Sequence, residues 1–279
     1  MNGGISRRSG QGFTIVEVLI VLAVTSALFL SAVVLINGRQ NITAFNQATQ
    51  ALQTQLQQVM NDVGSGYYLN NGTIACAKGG PAGGPKLTAG TTEQGANADC
   101  TFLGKVIQFA VNGTSPEEYN VYTVVGLRGD VLNPVTDLVT AKARLLAKGT
   151  AATDASVPDV FDSKSLQYGL TVSKMYYNNN PANAIGAVGF TSSLNNLGDA
   201  DSSQQVNVVA LGGTTLHAAK TTGVTQANGS LATGVINPPD GVQVCVNSGS
   251  TKRSALLSIG GAGRQGTVNL TVYTNADCI

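Results

Sequence analysis

Residues 13–36, FTIVEVLIVLAVTSALFLSAVVLI, hold 24 positions with no Gly, no Pro and a single charge, Glu17. A helix through such a run, rising ~1.5 Å per residue, spans a hydrocarbon core of about 30 Å. A carboxylate at bilayer depth costs roughly 2.5–3.5 kcal/mol even on lenient scales, so an ionisable residue there marks function and needs a partner. Upstream lies a short leader with Arg7 and Arg8, ending at Gly12. A secretory signal has a shorter apolar region and a small-residue cleavage site behind it. Here the run is too long for that, and Ser31-Ala32 makes a poor site. A plain membrane anchor gives no reason to keep Glu17 inside the run.

Arg7 and Arg8 precede the span and only Arg39 follows it closely. The positive-inside rule therefore leaves the N-terminus in the cytoplasm and exports everything after Asn37, in a single pass. All four cysteines, Cys76, Cys100, Cys245 and Cys278, fall in the exported part. An even count in an oxidising compartment reads as two disulfides, with three connectivities open; the nearest-neighbour pairs Cys76–Cys100 and Cys245–Cys278 are the expected ones. On the chain-entropy model the first would contribute roughly 3 kcal/mol. No CxxC or Cys/His spacing points to zinc.

Gly12-Phe13-Thr14-Ile15-Val16-Glu17, followed by the unbroken apolar run, resembles the start of a type IV prepilin or a type II secretion pseudopilin. The resemblance covers residues 7–36 and implies a definite life history. A prepilin peptidase cuts after Gly12 and methylates the new terminal amine of Phe13. The apolar run stays as the anchor and later becomes the filament core. Glu17 pairs with the terminal amine of a neighbouring subunit; two charges that are each costly in an apolar core become tolerable as a close pair. The implied partners are the peptidase, an inner-membrane assembly platform with its ATPase, and sister pilins. The implied location is the inner membrane before assembly and a cell-surface filament after it. A bridge near the C-terminus, as Cys245–Cys278 would be, also resembles many pilins. Many members carry a helix-breaking Pro or Gly within the apolar run; this chain has neither before Gly38.

Past the span, Phe45, Ala48, Leu52, Leu56, Val59 and Val63 recur at helical spacing with Gln and Asn between them. No proline occurs from 13 to 63, and Gly64-Ser65-Gly66 supplies a stop. One helix of roughly 75 Å is expected, residues 13–36 in lipid and 37–63 an amphipathic continuation. Residues 64–279 read as one β-rich exported domain. Expected strands are 102–111, 119–126, 166–175, 204–211, 242–247, 254–259 and 267–273, rich in Val, Ile, Leu, Thr and Tyr. Asn71-Gly72, Asn112-Gly113, Asn228-Gly229 and Asp240-Gly241 read as turns. Residues 135–148 read as a short helix, and 77–98 and 212–240 as surface loops. The fold class is therefore α+β: a long N-terminal helix whose second half packs on an antiparallel sheet, pilin-like.

Only 11% of residues are charged, well below the usual quarter. Removal of the leader takes Arg7 and Arg8 from the 16 basic residues, leaving 14 against 15 acidic ones. That balance argues against a nucleic-acid binder, which needs clustered Lys and Arg. The densest basic spots, Lys142-Ala143-Arg144 with Lys148 and Lys252-Arg253 with Arg264, read as solvated surface. Gly261-Ala262-Gly263-Arg264-Gln265-Gly266 fits GxGxxG, but a strand-like segment follows where a dinucleotide site needs a helix. These glycines are expected to form a hairpin loop. Arg128-Gly129-Asp130 reads as a turn, and the N-x-S/T strings at Asn41, Asn71, Asn112, Asn228 and Asn269 as chance. Asp199 and Asp201 are a weak calcium candidate in a loop, without the glycine and terminal Glu of an EF-hand.

The one histidine, His217, lacks any nucleophile–base signature around it, and Glu117-Glu118 on a strand would point to opposite faces. An enzyme is not expected, nor a cofactor. The expected function is a structural filament subunit serving attachment, motility or DNA uptake. The alternatives are a type II secretion pseudopilin, a minor pilin acting as tip adhesin or DNA-binding module, and, more distantly, a membrane-anchored enzyme.

Overall fold

The computed structural model describes residues 13–67, 74–90, 99–111, 117–129, 135–192, 206–249, 252–261, 266–275 and 277–278. The chain divides into two units, Met1–Ala44 and Phe45–Ile279. One helix, α1 (Ile15–Gly64), contributes residues to both. Its stop is written in the glycines. Gly66 N–H donates to Val63 O at 3.1 Å and Tyr67 N–H to Asp62 O at 2.7 Å, with Gly66 at φ 71. This Schellman pair satisfies two orphan carbonyls and needs a left-handed residue, which glycine adopts without strain.

Within the second unit the apolar stripe of α1 is the centre of the core. Phe45, Ala48, Leu52, Leu56, Val59 and Val63 are all buried, and Thr49 and Met60 join them. Around the helix stand thirteen strands among the described residues. They are β1 (Ile74–Lys78), β2 (Pro85–Ala89), β3 (Cys100–Phe109), β4 (Glu118–Leu127), β5 (Arg144–Leu145), β6 (Phe161–Ser165), β7 (Leu170–Tyr177), β8 (Asn180–Ala184), β9 (Ala187–Ser192), β10 (Val206–Ala210), β11 (Val242–Ser248), β12 (Ser254–Ile259) and β13 (Val268–Tyr273). A second helix, α2 (Lys220–Thr233), falls between β10 and β11.

All pairings are antiparallel. β1 and β2 form a hairpin of their own; a six-stranded sheet runs β10-β9-β3-β4-β5, with β6 also on β4; a five-stranded sheet runs β13-β12-β11-β7-β8. Side-chain alternation sorts the six-stranded sheet's two faces. Ile107, Phe109, Tyr119, Val121, Val188, Phe190, Val208 and Ala210 join the α1 core together with the inner face of the five-stranded sheet. Leu103, Val106, Tyr122, Val124, Ala187 and Val209 face the other way, against α2 and residues 138–147. With both faces covered, β3 and β4 are buried along most of their length, the polar Lys105, Gln108, Asn120 and Thr123 included.

The seven expected strands are all present with ends displaced by up to four residues, and 254–259 is matched at both ends. Three expectations fail. Residues 135–148 form no helix: one turn capped by Asp137 and Thr140 is closed at Lys142, whose φ is 50, and β5 then pairs with β4. Ala141, Ala143, Leu145, Leu146 and Ala147 are all buried, which a surface helix could not achieve. Residues 212–240 are not all loop, since α2 lies there and Asn228-Gly229 sits inside it rather than in a turn. Residues 77–98 include the end of β1 and all of β2. Strands β6, β8 and β9 carried no expectation.

Candidate processing and assembly segment

Gly12 lies outside the described residues; Phe13 is the first described side chain and is 80% exposed. The next residue, Thr14, caps α1: its Oγ1 accepts the Glu17 N–H at 3.3 Å and its carbonyl accepts the Val18 N–H at 3.2 Å. Thr14-x-x-Glu17 is the spacing of a capping box, and a carboxylate in the first turn meets the positive end of the helix dipole. The sequence reading missed this local role for Glu17, although the spacing carries its signal.

From Ile15 to Val33, 19 residues of α1 are long and apolar enough to cross a membrane, and none of that window is buried. Large apolar side chains such as Ile15, Leu19, Leu28, Phe29 and Leu30 all stand exposed. The hydroxyls in the stretch need no outside partner. Thr25 Oγ1 donates to Val21 O at 2.8 Å, Ser26 Oγ to Leu22 O at 2.7 Å and Ser31 Oγ to Ala27 O at 3.0 Å. With those donors satisfied within the helix, Glu17 is the remaining costly group in an apolar surrounding.

The four cysteines are joined in two bridges. Cys76 bonds Cys100 with Cα atoms 6.1 Å apart, and Cys245 bonds Cys278 at 5.9 Å. The second bridge carries the segment after the edge strand β13 back across β12 to β11, where Cys278 is buried. Asp199 and Asp201 lie outside the described residues. Among the described residues no group of three or more His, Cys, Asp or Glu side chains could hold a metal. Gly261 and Gly266 flank the β12–β13 connection, whose strands pair as a hairpin from Ile259↔Val268. His217 sits in an exposed turn at φ 65, and Arg144 is neutralised by Asp154 at 2.5 Å, beside a cleft of about 430 Å³.

Sequence reasoning also missed the polar side chains that fasten α1 to both sheets. Gln53 Nε2 donates to Val268 O at 2.7 Å and Gln57 Nε2 to Gly266 O at 2.9 Å. On the six-stranded sheet Tyr119 OH donates to Gln55 Oε1 at 2.6 Å, and Lys105 Nζ pairs with Asp62 at 2.7 Å. Burial is the main reason the Tyr119 phenol is pushed above its ordinary range, with the Asp162 charge adding to it. No spacing in the sequence announces any of these contacts.

An exposed, membrane-length apolar helix ahead of a disulfide-bonded domain of antiparallel sheets defines a membrane-anchored α+β protein. Residues 7–33 match the prokaryotic N-terminal methylation motif, and that motif with the apolar helix fits a prepilin or pseudopilin. The motif implies processing by a peptidase and assembly with other pilins, and it points to a structural protein. Neither the curated proteins nor the solved structures offer a match to the chain.

Proposed function

We propose that this chain is a structural subunit of a type IV pilus-like filament. A prepilin peptidase cuts it between Gly12 and Phe13, the Phe13 amine is methylated, and α1 carries it into a helical assembly driven by an inner-membrane platform and its ATPase. Before assembly the N-terminus faces the cytoplasm; afterwards the exported domain stands on a cell-surface filament. The carrying observation is Glu17, a lone carboxylate in the first turn of an apolar helix whose other polar groups satisfy themselves. A neighbour's terminal ammonium offsets that charge only in correct register, which makes the pair a specificity device as much as an attraction. Head-to-tail contacts that do not close produce open filaments.

Glu17→Ala should leave trimming intact and block incorporation into filaments; sheared surface filaments of normal yield would end the pairing role. Gly12→Leu should leave a longer, uncut protein in the membrane, and N-terminal sequencing that begins at Phe13 in this variant would exclude the cut site. A type II secretion pseudopilin is favoured equally by the methylation motif. A retraction ATPase gene beside this one would support the pilus; an outer-membrane secretin gene with cargo export would support the pseudopilus.

A further inference from the structure

The chain enters its globular unit at Phe45, twelve positions after Val33, the last residue of the membrane-length stretch. Two hydrogen bonds orient that unit along its own part of α1. Gln53 binds Val268 O and Gln57 binds Gly266 O, so β13 runs toward the Phe45 end as its numbers rise. The ladders carry this across the sheet. Tyr273 pairs with Ser254, Ser254 with Asn247, and Ser248 with Leu170. Gly249 N–H reaches Gly169 O at 3.4 Å. The turn Gln167–Gly169 and the residues Lys252 and Arg253 therefore lie close together at the Phe45 end.

These residues are not used by the core. Tyr168 is 59% exposed and stands at φ 57, a backbone conformation that a bulky side chain holds at a cost. Lys252 is exposed and Arg253 half-buried. A ring with an apolar body and polar tip beside two long cationic side chains is the composition of a protein surface at the water–lipid boundary. Covalent connection supplies the rest: twelve residues reach at most ~43 Å fully extended, which keeps this end at high local concentration over the bilayer.

We infer that this end of the domain docks on anionic phospholipid headgroups of the membrane that holds the apolar helix. Tyr168 seats among the headgroups, and Lys252 and Arg253 meet their phosphates. Glu117, Glu118 and Lys164 stand at the same end of the six-stranded sheet, with Leu166 N–H on Glu117 O at 2.6 Å. The two carboxylates oppose contact there, so the five-stranded sheet's side makes the approach. Each basic side chain at an anionic surface multiplies the docked-to-free ratio about 5.4-fold, so the pair supplies about 30-fold. The inference rests on membrane anchoring and not on filament assembly.

The test places an environment-sensitive fluorescent amino acid at Tyr168 in the full chain, one chain per lipid nanodisc, with a second probe at Lys86 as control. Emission at 168 should shift to the blue in phosphatidylglycerol-containing discs and return toward the aqueous value in all-phosphatidylcholine discs or high salt. Lys252→Gln with Arg253→Gln should lower the docked-to-free ratio about 30-fold, with both disulfides formed and the thermal midpoint unchanged. Aqueous emission at 168 in anionic discs overturns the proposal. So does shielding that appears only with two or more chains per disc, which would assign this end to a subunit contact. Uncut chain gives the same readout, so failure of the filament reading leaves this result interpretable.

Discussion

Leu56→Ala should destabilise the globular unit by about 3–4 kcal/mol, whereas Leu28→Ala should leave it unchanged, although both leucines belong to one helix. Leu56 is 0% exposed in the cluster that holds Ile107, Tyr119 and Val244. Truncation removes three buried carbons at about 0.8 kcal/mol each, and the incompletely closed cavity adds about 1 kcal/mol more. For a domain of this size each kcal/mol lowers the melting temperature by about 2–4 °C, so the midpoint should fall by roughly 10 °C. Leu28 stands exposed, and lipid or detergent tails are as apolar as the side chain it would lose. Melting of the full chain in micelles, followed by tyrosine near-UV dichroism with disulfides intact, reports the globular unit alone. A loss under about 1 kcal/mol for Leu56→Ala, or equal losses for the two leucines, would refute the division of α1 into a core-forming and a lipid-facing part.

Two further outcomes follow from the same packing. Cys245→Ser with Cys278→Ser opens a loop of 33 residues, which the chain-entropy model values at about 3.7 kcal/mol; amides of the edge strand β13 should exchange fastest, and unaltered exchange there would count against the bridge as its anchor. Burial, chiefly, raises the pKa of Tyr119 and of Tyr122, with Asp162 and Asp159 respectively adding to it and the Asn120 hydrogen bond to Tyr122 opposing. The fold therefore favours the neutral phenols: their contribution is complete below an unfolded pKa of about 10 and is lost as pH rises above it. Absorbance at 295 nm should show Tyr119 and Tyr122 ionising only with unfolding. An alkaline midpoint that Tyr119→Phe does not raise would contradict this account.

What the sequence disclosed divides by the range of the interactions involved. The methylation motif was legible because its parts are local: the glycine, the capping threonine and the acid lie within Gly12–Glu17. The buried stripe of α1 was legible for the same reason, as a 3.6-residue period with no Gly or Pro from Phe45 to Val63. The alanine-rich stretch 141–147 misled because its helix propensity is real but its burial all round is met by β4, to which β5 pairs at Val124 and Val125. Helix α2 hid for the opposite reason, with two glycines and four threonines against it. Val224, Ala227 and Leu231 nevertheless bury one face, and a Cβ on Gly223 would meet Gln108 Nε2 at 1.9 Å. That glycine is a packing residue and its helical cost is offset by the sheet beneath it. Gln53 and Gln57 could not be assigned from sequence at all, since their acceptors are 215 and 209 residues away. Their position on α1 beside the edge strand gives one helix three surfaces: an apolar stripe for the core, amides for the sheet edge, and, further back, an oily length that stays uncovered until lipid or another chain meets it.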